Sequence, residues 1–181
     1  MKCIFVKCLI ISNIICIFLF TACDSAITQK PEPESHSEET LKEPLEKVNR
    51  YLLKKENEEI NNLVKRYNWN METSKTGLRS MIYHKGTGEP VKRGRLVSLK
   101  HTVKLIDGTL VYDYRTDGLK QFIVGRGGVE AGLEEGILML KVGDKAKFIL
   151  PSHLGFGLLG DDDRIPPKAT LVYDIEVVTM D

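Results

Sequence analysis

Few side chains in this 181-residue chain are spaced to do chemistry, and the spacing argues against most kinds of it. His84, His101 and His153 show no metal-ligand spacing, so no metal site is expected. Asp161-Asp162-Asp163 is acidic enough to suggest calcium, but consecutive side chains diverge and the alternating ligand pattern of a calcium loop is missing. These three read as a solvated flap. Gly125-Arg126-Gly127-Gly128 lacks the Gly-Lys-Ser/Thr ending of a phosphate loop and reads as a turn before a helix. No nucleophile–base pair is in evidence, and no cofactor is expected. What remains is the stretch from Phe148 to Tyr173, which opens and closes on strand-like apolar segments. Between them, Phe156, Leu158, Leu159 and Ile165 sit in a loop rich in Gly, Asp and Pro. Large apolar side chains belong in such a loop when it folds over something apolar, so the loop reads as a flap beside an apolar pocket.

The elements that would position this flap follow from periodicity. Leu78 to Tyr83 is a short apolar run, and Gly86-Thr87-Gly88 forms a turn. From Leu96 to Leu105 the pattern has a period of two, which places Val97, Leu99, His101, Val103 and Leu105 on one face of a strand. His101 there is either a core histidine or part of the pocket lining. Asp107-Gly108 marks a hairpin turn, after which the chain returns through Leu110, Val111 and Tyr112. Lys120 to Val124 is another strand candidate. Ala131 to Leu140 is the one helix expected in this region, with Leu133, Ile137 and Leu140 on one side. Its Gly132 and Gly136 each cost about 1 kcal/mol relative to Ala. Tolerating both suggests that the helix backbone lies close against a sheet. Lys145 to Leu150 and Leu171 to Val178 alternate as strands, the latter with Leu171, Tyr173, Ile175 and Val177 on one face. Runs of strands with one short helix predict an antiparallel α+β domain.

The chain before this domain has a different character. Apolar residues make up 42% of the whole and charged residues 28%, with a formal charge of +1 and no dense basic patch, so nucleic acid is not an expected partner. All four cysteines, Cys3, Cys8, Cys16 and Cys23, fall within the first 23 residues, which excludes a disulfide framework from the later domain. Residues 1–22 carry Lys2 and Lys7 ahead of a mostly apolar run, Leu9 to Phe20, as a secretory signal does. The Thr21-Ala22-Cys23 ending resembles a bacterial lipobox, in which Cys23 would become the lipidated first residue of the mature chain. Plain secretion is the alternative. Residues 23–43, polar and acidic with Pro31 and Pro33, read as a disordered tether. Pro44 fits the first position of a helix, and residues 44–70 read as a helical spacer. Its stripe of Leu45, Val48 and Leu52, then Ile60, Leu63 and Tyr67, is interrupted from Lys54 to Glu59. Such a helix would pack lightly on its own domain, stand free, or pair with a second copy through residues 44–67.

Within residues 76–181 the segments DGTLVYD, FIVGRGGVEAGLEEGILMLKVGDKAKFILP, FGLLG and IPPKATLVYDIEVV follow one another in an order that resembles the FK506-binding-protein (FKBP) type of peptidyl-prolyl cis-trans isomerase. Together with the N-terminal signal, tether and helix, the segment SHLGFGLLGDDDRIPP looks most like the gliding-motility-associated lipoprotein isomerases of Bacteroidetes. The resemblance implies a curved antiparallel sheet wrapped around the short helix, with the site between them. It places Tyr112, Asp113 and Phe156 in catalytic positions. It places His101, Phe122, Val129, Glu130, Leu133, Ile165 and Tyr173 along the substrate-binding wall, Glu130 through its backbone N–H. Phe156 stands where the family usually has a tyrosine, Leu133 where it usually has Trp, and Glu130 where it usually has an aliphatic residue. Asp161 and Arg164 occupy positions that are often His and Ile. The implied partners are proline-containing polypeptides and, through the lipid, a membrane at the cell envelope, on the periplasmic or outer-membrane face. The implied role is assistance to folding of envelope or exported proteins. A tethered module that binds proline segments with little catalysis, or a structural part of a motility or secretion machine, is the alternative.

Overall fold

The computed structural model describes residues 38–181, with side chains from Lys42 onward. The expected signal at 1–22, the lipidated Cys23 and most of the expected tether lie outside the described residues. Helix α1 runs from Glu38–Arg66 and carries Pro44 inside it. Residues 38–43, expected in the tether, are therefore helical. Proline is favoured at the first helical position but not confined to it; here it forfeits one hydrogen bond to the carbonyl four residues back. The helix also runs unbroken through the polar stretch that interrupts its stripe, where Lys54–Glu58 and Lys55–Glu59 are paired one turn apart at 3.9 and 4.0 Å. Among the described residues, no helix is long and apolar enough to cross a membrane.

The remaining elements are β1 (Glu72–Thr73), β2 (Arg79–His84), β3 (Leu96–Leu105), β4 (Leu110–Asp113), α2 (Tyr114–Asp117), β5 (Lys120–Ile123), α3 (Ala131–Ile137), β6 (Lys145–Leu150) and β7 (Leu171–Met180). The strands form one antiparallel sheet in the order β1-β2-β6-β7-β3-β4, with β5 also pairing β3. Register shifts in β2, β3 and the β3–β4 hairpin bend it. The one-turn α2 is an addition to the single helix expected; Asp113 nucleates it by accepting from the Arg115 N–H as its N-cap. Helix α3 ends at Ile137, earlier than expected, because the chain turns there. The Lys141 N–H instead donates to the buried Asp144 carboxylate at 2.8 Å, as does the Gly86 N–H at 2.6 Å.

The alternation read in β7 holds, with Leu171, Tyr173, Ile175 and Val177 buried, and in β3 it holds for Val97, Leu99, His101 and Val103. Leu105 is only partly buried, and Ser98, expected on the other face, is buried too, where it accepts from Gln121 at 2.9 Å. With Phe148 and Leu150 from β6 the buried apolar residues of both strands form the main core against α3, which contributes Leu133 and Ile137. The glycines of α3 explain its fit. A Cβ on Gly132 would lie 2.6 Å from Leu150 Cγ, and one on Gly136 would lie 2.6 Å from Phe148 Cε2. Ile149, between Phe148 and Leu150, faces the other way. It packs with Ile60 and Leu63 of α1, joined by Val64, Trp69, Met71, Ile106 and Val172. So α1 packs on its own domain through its C-terminal half, while Leu45, Val48, Tyr51 and Leu53 remain exposed. Leu150 and Leu171 are register partners at the end of the β6–β7 ladder, and the flap, residues 151–170, departs from and returns to that pair.

Candidate active site

Four strands (β3, β4, β5 and β7), helix α3 with the turn before it, and the flap bring the expected residues together. Phe122 (β5), Leu133 (α3), Ile165 (flap) and Tyr173 (β7) are buried in the main core, and Tyr112 (β4), Val129 and Phe156 (flap) are partly buried against it. His101, Asp113 and Glu130 are the buried polar members of the expected set. All ten therefore lie in or beside one cluster. Leu158 and Leu159, by contrast, are 72% and 79% exposed and do not fold back over it.

Asp113 is 4% exposed and receives the Arg115 backbone N–H and Nε–H, each at 2.9 Å. The Arg115 side-chain hydrogen bond is the main reason its pKa is lowered to about 2. A carboxylate so held is ionised at neutral pH and is a fixed negative charge, a poor proton acceptor. Tyr112 donates its hydroxyl to Asp161, which, with burial, pushes the phenol up to about 12. The Arg164 guanidinium lies over the Tyr112 ring, 4.7 Å from its centroid, and donates to the Val111 carbonyl at 3.0 Å and to Asp117 at 2.9 Å. The flap is thereby fastened to β4 and α2.

Asp161 corrects the reading of the three aspartates as a solvated flap. Asp162 and Asp163 are exposed, but Asp161 turns inward. Its Oδ1 accepts from the backbone N–H groups of Asp163, Arg164 and Ile165 at 3.0, 3.0 and 2.7 Å, closing the turn that delivers Ile165 to the core. A short polar side chain bonding to backbone N–H groups just ahead of it is ordinary turn chemistry. Glu130 corrects a second expectation, that only its backbone N–H matters. Its carboxylate is buried, accepts the Tyr173 hydroxyl at 2.6 Å and faces Lys120 Nζ at 3.3 Å. Burial, and next the Glu130 charge, raise the Tyr173 phenol well above its ordinary value. The His101 pKa is lowered by burial and then by the Lys120 ammonium, so the imidazole is neutral; its Nδ1 is buried without a partner among the described residues. Lys120, Arg115 and Asp117 were not singled out from sequence, since a lone charge on a short strand or turn carries no periodic signal. The Gly125–Gly128 turn is organised as expected, with Glu134 of α3 accepting the Gly125 and Gly127 N–H groups at 2.7 and 3.1 Å. Among the described residues, no group of three His, Cys, Asp or Glu could hold a metal.

An antiparallel sheet closed on one short helix, with an apolar cluster under a long β6–β7 flap, is the arrangement of a known class. Residues 87–178 match the family described as FKBP-type peptidyl-prolyl cis-trans isomerase, and the chain belongs to that family. It is 36% identical over 107 residues to FK506-binding protein 2 of Yarrowia lipolytica, covering 58% of this chain and 74% of that one. It is 34% identical over 104 residues to FK506-binding protein 1 of Dictyostelium discoideum, covering 57% and 97% of the two chains. A probable FKBP-type isomerase, FkpA, of Neisseria meningitidis is 32% identical over 114 residues, which is 60% of this chain and 39% of that one. The crystal structure of AtFKBP13 superposes with a TM-score of 0.60 at 26% identity, covering 62% of this chain and 99% of that chain. The activity is peptidyl-prolyl cis-trans isomerisation.

Proposed function

We propose that this isomerase works on proline-containing segments of cell-envelope or exported proteins while anchored to a membrane by lipid on Cys23, in the manner of the gliding-motility lipoproteins it resembles. The anchor reading rests on the Thr21-Ala22-Cys23 ending after an apolar run. Two or more acyl chains, at about 0.8 kcal/mol per buried CH2, give stable anchoring. Cys23→Ala should move the protein from the membrane fraction to the soluble fraction; retention in the membrane would remove this part of the proposal.

The observation that carries the catalytic reading is the convergence of Tyr112, Phe156, Ile165 and Tyr173 on one apolar cluster beside an ionised Asp113. The Xaa-Pro amide resists rotation by about 18–20 kcal/mol because its C–N bond has double-bond character. The planar amide is more charge-separated than the twisted one, so water favours the planar form. Apolar walls remove that preference and favour the twisted form, with no proton transfer or covalent intermediate. The fixed charge of Asp113 then polarises the surroundings of the twisting carbonyl, and Tyr112 and Tyr173 wall the ring. On a short Xaa-Pro peptide the full chain should accelerate isomerisation, with Asp113→Ala and Tyr112→Ala each lowering kcat/KM at least about tenfold, or about 1.4 kcal/mol.

A slow isomerase that uses the site chiefly to hold proline segments is the second reading. It is favoured by Phe156, which has no hydroxyl to offer a substrate carbonyl, and by the fastening of the flap through Asp161 and Arg164. Tight peptide binding with weak acceleration would select it. Pairing of two copies is supported by the exposed Leu45, Val48 and Leu53 of α1, and sedimentation of the full chain tests it. A part in a motility or secretion machine would show as loss of function on deletion but not on mutation of the candidate site.

A further inference from the structure

The flap meets the sheet at a narrow neck, and both sides of that neck bond to one carboxylate that belongs to neither. Glu56, on α1, accepts the Ser152 backbone N–H at 2.7 Å and the Thr170 hydroxyl at 2.7 Å on Oε1, and the Ser152 hydroxyl at 3.2 Å on Oε2. Ser152 opens the 3-10 turn Ser152–Leu154, which buries Leu154 and leads directly to Phe156. Thr170 is buried and is the last residue before β7, five positions after Ile165. Hydrogen bonds to an ionised acceptor are stronger than neutral ones, and three converge here. Glu56 is not needed to dock the helix. The buried Arg79 of β2 donates to Asn57 at 2.6 Å and Asn61 at 3.0 Å, and Ile60 and Leu63 pack on Ile149.

We infer that Glu56 is a positioning residue of the isomerase site, stapling the neck of the flap so that Phe156 and Ile165 are in place before substrate arrives. The inference rests on the reading above that these two flap residues touch substrate. A flap ordered in advance leaves less ordering to be done on binding, so the staple acts on KM more than on kcat. It also makes α1 part of the site, although none of its described side chains belongs to the apolar cluster there.

The test is steady-state isomerisation of an Xaa-Pro peptide by the full chain. Glu56→Ala should raise KM about fivefold with kcat changed less than about twofold. Glu56→Gln keeps an acceptor oxygen for Ser152 and Thr170 and should restore most of the loss. A merely structural role would reduce the amount of active protein, lowering kcat at unchanged KM, and that result overturns the inference. Trp69, the sole tryptophan, packs in the α1–sheet cluster, and its emission should be unchanged in Glu56→Ala. Should that emission shift, Thr170→Val decides: it removes one donor and leaves α1 intact, and an unchanged KM overturns the staple. Phe156→Ala in parallel separates two failures. If it too leaves both constants unaltered, the flap is not in the site and the placement of Phe156 there fails. If it alone raises KM, only the staple fails.

Discussion

On one face of the sheet α3 lies so close that two of its positions have no room for a methyl group; on the other, α1 rests on a small apolar patch and reaches out with polar side chains. The first face is set by close packing of the helix on β6, where Leu150 and Phe148 fill the space a methyl group would need. The second is set by discrete bonds, Arg79 to Asn57 and Asn61, and Glu56 to the flap neck. In the proposed site the front face supplies the apolar wall, and the back face bonds to both feet of the flap. Damage to the two should therefore separate in kinetics even where it is equal in stability.

The largest effects test this directly. Leu133→Ala and Ile60→Ala each empty a fully buried site and should each cost about 3 kcal/mol in denaturant unfolding. Only Leu133→Ala should lower the kcat of the folded protein; an equal fall with Ile60→Ala would mean that the faces are not separable. Next comes Tyr173→Phe, which leaves the buried Glu130 carboxylate with Lys120 alone and should cost about 2 kcal/mol. Gly136→Ala gains about 1 kcal/mol of helix propensity but overpacks Phe148, for a net loss of about 1 kcal/mol. A gain in stability would show that the front face has slack.

The smallest effect is a pH dependence. The folded-state pKa of His101 lies below its ordinary 6.5, so above pH 6.5 both states are neutral there and the contribution is fully present. As pH falls below 6.5 the unfolded chain takes up the proton first, and stability drops by at most about 1.4 kcal/mol per pH unit until the folded pKa is passed. Lys120, Asp117, Glu130 and Asp113 are the charges acting on this ring, and Asp113, held near 2, does not titrate in that window. Urea midpoints at pH 7.5 and 5.5 should converge in His101→Phe.

The front face was largely readable from the chain. Period-two burial in β3 and β7 and the paired glycines of α3 are local signals, because one buried face imposes them every second residue or every turn. The flap was half readable, as apolar side chains out of place in a polar loop: the signal held for Phe156 and Ile165 and failed for the exposed Leu158 and Leu159. The back face was much less so. Glu56 lies 96 residues from Ser152 and 114 from Thr170, and no local pattern encodes a bond across such a span. The inward turn of Asp161 was hidden by its two exposed neighbours, since three identical residues give no hint of which one bonds. The role of the Glu130 carboxylate was not readable, because the resemblance speaks only to its backbone N–H and its partner Tyr173 is 43 residues away.

Leu150 and Leu171 face each other across the ladder, so the twenty positions between them form a closed detour from a finished sheet. Lengthening such a detour is cheap, about 0.6 kcal/mol for each doubling, and it disturbs no rung below. The whole segment can therefore be exchanged without unpicking the ladder, provided each replacement keeps a donor at either foot for the glutamate that waits on the helix.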